Sequence, residues 1–379
     1  MNVNKSIMII AGEDSGDLHG SALIAELKSI NPGLQIFGIG GKKMIDAGMT
    51  PQYHIKDMAF LGFAEVVKHI PFIKKVQKNL LNIVKTQNIK EVVLIDYPGF
   101  NLSLAKKLKK LDTKIIYYIS PQVWAWGKNR LQKMKRLIDL MIVVFPFEKE
   151  LYEKAGMKVE YVGHPLIERI NSYKYLNKNE LYDKFGLDET KDILLLMPGS
   201  RKQEIERIFP ETVKAAVKLS GEFNLQTVVA CSGNINEKIF NRLTGETGFT
   251  IVKDHTYDLL KYAKFGIIKS GTSTLEAGLF GFPFVVVYST SALTYFIGKK
   301  LINIDSISMT NIVLGEKIIP ELIQNEMNAD EVFSTARSIL SDPEKYRQIK
   351  SKLGNLKAKL GSEGASKKAA ELIYAELNA

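Results

Sequence analysis

Short runs rich in β-branched residues alternate along this chain with longer stretches of helical periodicity. In the first half the runs cover residues 7–11, 35–39, 92–95, 114–119, 141–145 and 158–162. After a break at Gly163-His164-Pro165 the pattern restarts, with runs at 193–197, 227–230, 250–252, 265–268 and 284–287. This alternation is typical of parallel sheets whose strands are connected by helices. Two consecutive sets of strands predict an α/β chain with two Rossmann-like domains.

The length of 379 residues suits this division, because each half is long enough to bury a core of its own. We place the first domain at residues 1–165 and the second at residues 166–345, with a linker near 163–175. Residues 346–379 are rich in lysine and have the pattern of C-terminal helices.

The composition is that of a folded protein in a reducing compartment. The chain is 45% hydrophobic and 25% charged, and its one cysteine, Cys231, can form neither an intramolecular disulfide nor a cysteine-based metal site. No stretch approaches the roughly 18 uninterrupted apolar residues of a membrane-spanning helix. The apolar run near the N-terminus is too short for a signal peptide. We therefore expect a cytoplasmic protein.

The positive charge is concentrated in one segment. The formal net charge is +11, and residues 65–136 alone hold 16 Lys or Arg against 4 Asp or Glu. This excess predicts attraction to a polyanion, either nucleic acid or an anionic lipid surface, although a solvated lysine-rich face is the simpler interpretation. No nucleic-acid-binding motif accompanies the charge, so we expect no nucleic-acid partner.

Within this segment, residues 58–85 combine lysines with many apolar side chains. If Pro71 begins a helix, Ile73, Val76, Leu80 and Val84 share one face, and most of the lysines lie on the other. Such a helix can lie in the interface of an anionic bilayer, but an ordinary helix that covers a sheet would show the same pattern. We predict that the membrane-facing residues are Phe60, Leu61, Phe63, Val66, Val67, Ile70, Phe72, Ile73, Lys74, Lys75 and Lys78.

Open α/β sheets bind ligands at the carboxyl ends of their strands, and two such ends stand out in the first half. The acidic turn 12–17 follows the first strand, and its charge disfavours a phosphate, so Glu13 and Ser15 are candidates to bind sugar hydroxyls; a helix-capping turn is the alternative. Asp96 leaves the apolar run 92–95, where partial desolvation would raise its pKa toward the range of a general base. A lone aspartate at a strand end is also common without any catalytic role.

Two strand ends of the second half carry residues suited to phosphate. The Gly199-Ser200-Arg201 turn offers backbone N–H groups, a hydroxyl and a guanidinium for a diphosphate. The turn 270–278 opens a helix whose N-terminus favours a phosphate, and Glu276 can accept hydrogen bonds from ribose hydroxyls. Ordinary helix caps are the alternative for both. Because no Asp-x-Asp element or phosphate-binding P-loop is present, we expect a site without a metal. His164 in the linker is either a site residue or a structural hinge residue.

Seven motifs, in this order and over nearly the whole chain, resemble those of the lipid-A-disaccharide synthase family. They cover residues 11–17, 95–101, 120–126, 145–148, 163–165, 196–201 and 270–276. The most specific of them is the run Ser120-Pro121-Gln122-Val123-Trp124-Ala125-Trp126.

This resemblance implies an inverting glycosyltransferase that needs no metal or other cofactor. The implied architecture is the B-type fold, in which two parallel sheets face an interdomain cleft and the C-terminal helices return to the first domain. The implied reaction joins UDP-2,3-diacylglucosamine to 2,3-diacylglucosamine 1-phosphate (lipid X), and gives the β-1,6-linked disaccharide 1-phosphate and UDP. It implies a peripheral protein at the cytoplasmic face of the inner membrane, and it leaves open a homodimer.

The resemblance also assigns roles to individual residues. Asp96 corresponds to the essential aspartate and is the expected base, and Arg201 corresponds to the arginine that stabilises the departing diphosphate. Asn311 corresponds to an asparagine near the nucleotide. Many family members carry a second acid where this chain has Gly99, so the catalytic assignment rests on Asp96. The expected nucleotide-binding residues are Gly199, Ser200, Ser270, Gly271, Thr272, Ser273, Thr274 and Glu276.

Two alternatives remain open from the sequence. Another UDP-N-acetylglucosamine-using transferase or an epimerase of the same fold would share the nucleotide-binding features. A non-catalytic basic protein that binds RNA or lipid head groups would explain the charge but not the four strand-end motifs.

Overall fold

The computed structural model describes residues 5–58, 69–124, 129–245, 248–291, 295–296 and 305–378. The chain divides into two compact units. Unit 1 comprises residues 1–168 and 360–379, and unit 2 comprises residues 169–359.

Unit 1 is built on a seven-stranded parallel sheet with the strand order β3-β2-β1-β4-β5-β6-β7. Its elements in chain order are β1 Ser6–Ala11, α1 Asp14–Ile30, β2 Gln35–Gly40, α2 Lys42–Asp46, β3 Thr50–His54, α3 Ile55–Met58, α4 Ile70–Thr86, β4 Glu91–Ile95, α5 Pro98–Leu108, β5 Lys114–Tyr118, α6 Asn129–Leu137, β6 Leu140–Val143, α7 Pro146–Lys154, β7 Val159–Tyr161, the helix α8 Pro165–Ser172 that contains the unit boundary, and the C-terminal helix α18 given below.

Unit 2 is built on a six-stranded parallel sheet with the strand order β10-β9-β8-β11-β12-β13. Its elements are α9 Lys178–Phe185, β8 Asp192–Met197, α10 Lys202–Phe223, β9 Leu225–Cys231, α11 Lys238–Thr244, β10 Thr250–Lys253, α12 Thr256–Tyr262, β11 Ala263–Lys269, α13 Thr272–Phe280, β12 Phe284–Tyr288, α14 Met309–Leu314, β13 Glu321–Ile323, α15 Ala329–Leu340, α16 Pro343–Leu353 and α17 Leu356–Leu360.

These two sheets confirm the predicted α/β class with two Rossmann-like folds. The central strands are buried along their length, because helices cover both faces of a parallel sheet. Each predicted run of β-branched residues coincides with a strand to within two residues at either end. The sequence analysis missed β3 and β13, each of which lies at one edge of its sheet. β3 is partly exposed and contains Pro51, and β13 has only three residues, so neither produces an apolar run.

The last helix, α18 (Ala365–Asn378), packs against α1 and belongs to unit 1, whereas residues 346–359 belong to unit 2. Small side chains allow the close approach, with Ala365, Ala369 and Ala370 fully buried. At the far end of α18, Glu376 forms ion pairs with Lys114 and Lys158 of unit 1. Cations at a helix C-terminus are also favoured by the helix dipole.

The amphipathic helix predicted after Pro71 is α4. Val76, Leu80 and Val84 lie in the core of unit 1, and Phe72 and Ile73 are partly buried against the same core. The apolar face of α4 therefore covers the sheet. Of the predicted membrane-facing residues, Phe72 and Ile73 are only partly available to a membrane because they pack against this core. On this helix the large apolar side chain that remains exposed is Ile70, at 40%.

Lys74, Lys75 and Lys78 are exposed on α4. The other predicted membrane-facing residues, Phe60, Leu61, Phe63, Val66 and Val67, lie outside the described residues. In the part of the chain that the structure describes, no helix combines the length and the hydropathy needed to cross a membrane.

Candidate functional site

In unit 1, the first loop and Asp96 lie side by side where the strand order reverses. β1 pairs with β4, with Ala11 opposite Ile95. β2 and β3 lie to one side of this pair and β5 to β7 to the other. A switch of this kind opens a crevice at the carboxyl ends of the two strands, where α/β proteins bind ligands. Two predicted site segments that are about 80 residues apart in sequence are thus neighbours in the sheet.

Asp96 lies in a strained turn between β4 and α5. Both Asp96 and Tyr97 have positive φ angles, of 44° and 47°, which non-glycine residues rarely adopt. The turn is held from within the core, because the Asn101 amide and the Tyr117 hydroxyl both donate hydrogen bonds to the Asp96 carbonyl oxygen. Strain that the surrounding structure maintains is a common property of active-site turns.

The environment of Asp96 makes its carboxylate a stronger base than an exposed aspartate. Burial raises its pKa to about 6, and the negative charge of Glu13 contributes to the increase. A hydrogen bond from the backbone of Tyr97 acts in the opposite direction. With a pKa near 6, the side chain is largely ionised at neutral pH and still accepts a proton effectively.

The acidic first loop divides into a structural residue and exposed residues. Asp17 is buried and accepts hydrogen bonds from the backbone N–H groups of Gly41, Lys43 and Met44, at 2.7, 3.2 and 3.0 Å, so it caps α2. Glu13 and Ser15 are exposed at the start of α1. Asp17 thus caps α2 and not the helix that this turn opens, and Glu13 and Ser15 remain candidates to bind sugar hydroxyls.

A buried glutamate organises the loop after β5, and the sequence analysis gave it no role. Glu148 accepts hydrogen bonds from the Ser120 hydroxyl at 2.6 Å and from the Trp124 indole N–H at 3.3 Å. Burial raises the pKa of Glu148 to about 7. Its place in the 145–148 motif was the available signal. Trp126, the second tryptophan of this loop, lies outside the described residues.

His164 has a structural environment. It is buried, its Nδ1 accepts a hydrogen bond from the backbone N–H of Leu166 at 3.1 Å, and burial with the nearby His19 lowers its pKa to about 3. A neutral imidazole that binds the first turn of α8 agrees with the hinge interpretation.

Unit 2 repeats the arrangement of unit 1 with different chemistry. β8 pairs with β11, so the Gly199-Ser200-Arg201 turn and the turn that begins at Ser270 lie next to each other at the point where this sheet reverses order. Ser200 and Arg201 are exposed at the N-terminus of α10. The turn between β11 and α13 depends on Gly271, whose φ of 148° is readily adopted by glycine and disfavoured for residues with a side chain.

Three of the four predicted hydroxyls in this turn bind other parts of the protein; two of them shape the turn itself, and Ser270 ties it to a separate segment. Ser270 donates to the Ile307 carbonyl, Ser273 to the Lys269 carbonyl and Thr274 to the Gly271 carbonyl. Thr272 is exposed at the first position of α13. The backbone at this helix N-terminus and Thr272 are therefore the groups best placed to meet a phosphate.

Glu276 belongs to a cluster that sequence reasoning did not predict. Its Oε1 accepts a hydrogen bond from the Tyr257 hydroxyl at 3.0 Å and lies 3.9 Å from the Arg169 guanidinium. Arg169 also stacks over the Tyr257 ring, 4.7 Å from its centre. Burial raises the pKa of Glu276, while Arg169 and the Tyr257 hydrogen bond lower it. The cluster orients this carboxylate.

Asn311, which the resemblance predicts to lie near the nucleotide, makes its side-chain hydrogen bonds within the fold. The side chain is buried, and its amide donates to the Ile319 carbonyl and to Glu321, both at 2.8 Å. Its oxygen accepts from the backbone N–H groups of Ile318 and Ile319. Both donors and the acceptor are thus already used, and Asn311 holds the chain between α14 and β13 in place.

The comparisons with known proteins agree along the whole chain. The sequence profile of the lipid-A-disaccharide synthetase family matches residues 7–377. The lipid-A-disaccharide synthase of Geobacter metallireducens is 40% identical over 373 residues, which cover 98% of this chain and 97% of the relative. That of Geobacter sulfurreducens is 38% identical over 375 residues, with 98% and 97% covered.

Among solved structures, the UDP-GlcNAc 2-epimerase from Neisseria meningitidis bound to UDP-GlcNAc superposes with a TM-score of 0.69 at 13% identity, covering 98% of this chain and 100% of that one. At this identity the likeness establishes the shared fold alone. The family match and the two Geobacter relatives decide the classification, and this chain belongs to the lipid-A-disaccharide synthase family of glycosyltransferases.

Proposed function

We propose that the protein transfers the 2,3-diacylglucosamine group of a UDP-linked donor to the 6-hydroxyl of 2,3-diacylglucosamine 1-phosphate. The observation that carries the proposal is the strained turn that presents a half-buried Asp96 at the reversal point of the unit 1 sheet. The products are the β-1,6-linked disaccharide 1-phosphate and UDP. Family membership supports a glycosyl transfer that forms the lipid A disaccharide. The 2,3-diacylated form of both substrates is our proposal.

The residues divide into two sets by chemistry. In unit 1, Asp96 accepts the proton of the acceptor 6-hydroxyl while the oxygen of that hydroxyl attacks the anomeric carbon of the donor. In unit 2, Arg201 and the N-terminus of α13 stabilise the negative charge that develops on the diphosphate as its bond to the anomeric carbon breaks. One in-line displacement inverts the anomeric configuration, so a single base and a stabilised leaving group suffice.

Glu276 is proposed to accept hydrogen bonds from the ribose hydroxyls. Its Oε1 is held by Tyr257 and faces Arg169, which leaves Oε2 to meet the nucleotide. The structure of a fold relative bound to UDP-GlcNAc is consistent with a UDP-sugar as the donor class. In unit 1, Glu13 and Ser15 at the carboxyl end of β1 are proposed to bind sugar hydroxyls.

We also propose that unit 1 associates with an anionic membrane that contains both lipid substrates. α4 contacts α5, α5 contacts α6, and none of the three helices contains an aspartate or glutamate. Most of their cationic side chains are exposed. A cationic surface of this kind attracts anionic head groups. We call it the basic surface; its exposed cations on the three helices are Lys74, Lys75, Lys78, Lys85, Lys106, Arg130, Lys133, Lys135 and Arg136, and Lys110 of the turn after α5 is included with them.

The direct test is turnover in detergent with the diacylated donor and acceptor, followed by UDP release and by the mass of the product. The Asp96→Asn variant should fold normally and bind UDP, and its turnover should fall by roughly 10²–10⁴, the usual contribution of a general base. Near-normal turnover in this variant would contradict the role of Asp96. Rapid conversion of UDP-N-acetylglucosamine without acyl chains would instead favour a transferase or epimerase for water-soluble sugars.

A further inference from the structure

An ion pair in unit 2 lies beside the proposed diphosphate site and has no role in the function described so far. The Lys269 ammonium is 2.9 Å from Glu204 Oε1, and both side chains are mostly buried, with exposures of 16% and 18%. The Arg201 guanidinium lies 3.6 Å from the same oxygen. One carboxylate is thus shared by two cations, and the cluster keeps a net positive charge.

The position of Lys269 in the fold places its ammonium at the N-terminus of α13. Lys269 is the last residue of β11, and Gly271 directly precedes the helix. The ammonium lies 3.8 Å from the point that a Cβ at Gly271 would occupy. The Glu204 carboxylate approaches the neighbouring strand end more closely, at 2.6 Å from the point that a Cβ at Gly199 would occupy. Both charges therefore lie at the two turns proposed to bind the diphosphate.

A lysine with so little exposure needs an anion nearby, because taking an ammonium out of water without a partner is costly. Glu204 supplies that anion when no nucleotide is bound. A diphosphate at the same turns would supply further negative charge to the same two cations. An ammonium has three donor hydrogens, so Lys269 can bind a phosphate oxygen without leaving Glu204.

We propose that Lys269 binds the diphosphate together with Arg201, and that Glu204 is a counter-ion that holds both cations before the nucleotide arrives. The inference rests on the proposed function, since it assigns further residues to the same nucleotide site. Because the Glu204 carboxylate is a negative charge close to the diphosphate, it opposes UDP binding and favours release of this product.

The test compares the binding of UDP, measured by titration calorimetry, with that of uridine, measured by saturation-transfer NMR. Lys269→Met should weaken UDP binding by about tenfold or more, the size expected for one charge-assisted hydrogen bond, and should leave uridine binding unchanged. Glu204→Gln should tighten UDP binding severalfold, again without an effect on uridine. The matched control is Lys264→Met. Lys264 lies at the opposite end of the same strand and forms an ion pair with Asp192, and its removal should change neither UDP binding nor uridine binding.

The double variant Lys269→Met with Glu204→Gln removes both charges and leaves no buried ion unpaired, so it tests the lysine even if the single variant is unstable. It too should bind UDP weakly and uridine normally. Unchanged UDP binding in both lysine variants, or equal weakening of UDP and uridine, would overturn the role of Lys269. Weaker UDP binding in Glu204→Gln would overturn the counter-ion role. Failure of the unmodified protein to bind UDP would reject the proposed function itself, and this inference with it.

Discussion

Asp96 and Glu13 show how two carboxylates near each other acquire different properties. Asp96 is half-buried in its turn, and its pKa is raised to about 6 by burial first and by the Glu13 charge second. Glu13 is exposed. Because the two side chains differ in solvation, Asp96 serves as the base and Glu13 as the residue that increases its basicity.

We predict that Glu13→Gln moves the acidic limb of the kcat/KM pH profile to lower pH. Removing the Glu13 charge lowers the pKa of Asp96, whereas burial remains and keeps that pKa above its ordinary value. The displacement should be between a few tenths and about one pH unit. The position of the limb is read from full profiles, so a loss of sugar contacts that lowers the rate at every pH does not affect it.

The control for this variant is Asp14→Asn. It removes an exposed carboxylate from the same turn, and Asp14 is not among the groups that change the pKa of Asp96. It should leave the limb in place. A limb that moves equally in both variants, or does not move in Glu13→Gln, would contradict the assignment.

At the scale of the element, the turn between β4 and α5 depends on hydrogen bonds from buried side chains. Two consecutive residues with positive φ cost roughly 1–3 kcal/mol each. Asn101 compensates by donating to the carbonyl oxygens of Ile95 and Asp96, at 3.2 and 2.8 Å. Tyr117 of the neighbouring strand donates to the Asp96 carbonyl as well. Asn101 and Tyr117 are thus positioning residues for the base.

We predict that Asn101→Leu reduces kcat by about 10- to 100-fold and lowers the free energy of unfolding by about 1–3 kcal/mol. The reason is that the carboxylate loses its fixed direction. The KM for the UDP-linked donor should not change, because the nucleotide-binding residues are proposed to lie in unit 2. Tyr117→Phe should have the same effects, but smaller.

The matched control is Tyr118→Phe on the same strand. Tyr118 directly follows Tyr117 on β5, and successive strand residues point to opposite faces, so the Tyr118 hydroxyl points away from the turn. A loss of stability without a loss of kcat in Asn101→Leu would show that the residue serves the fold alone.

At the scale of the whole molecule, the net charge of +11 comes from one segment, because residues 65–136 hold 16 Lys or Arg against 4 Asp or Glu and the rest of the chain is close to neutral. The structure joins α4, α5 and α6 into the basic surface and turns the apolar side of α4 into the core. Attraction to a membrane at this surface therefore depends on charge, and the contact through Ile70 adds little apolar area. Electrostatic attraction of this kind weakens as salt concentration rises.

We predict that the triple variant Lys74→Glu, Lys75→Glu and Lys78→Glu sediments poorly with vesicles that contain anionic lipid. Its binding of UDP should equal that of the unmodified protein. The control is the triple variant Lys345→Glu, Lys350→Glu and Lys357→Glu, which changes the net charge equally at exposed lysines of unit 2 and should still bind the vesicles. Equal losses in both variants would show that net charge, and not this surface, drives association.

The strands, their parallel arrangement and the two sets of strand-end motifs could be predicted from the sequence, because buried parallel strands appear as apolar runs in the chain order. Edge strands β3 and β13 could not, since their side chains are only partly buried. The motif at 270–276 was identified, but the same hydroxyls can bind a ligand or their own turn. Only hydrogen-bond partners distinguish these roles, and they assign Ser273 and Thr274 to the turn and Ser270 to the Ile307 carbonyl of a separate segment.

The sequence by itself determined the α/β class, the family and the residue types that carry the chemistry, since these depend on local pattern. The tertiary structure decided which of those residues meet. Strand order brings Glu13 to Asp96 and Lys269 to Glu204, and burial sets the pKa of Asp96. Both depend on contacts between residues far apart in the chain, and no local pattern encodes them.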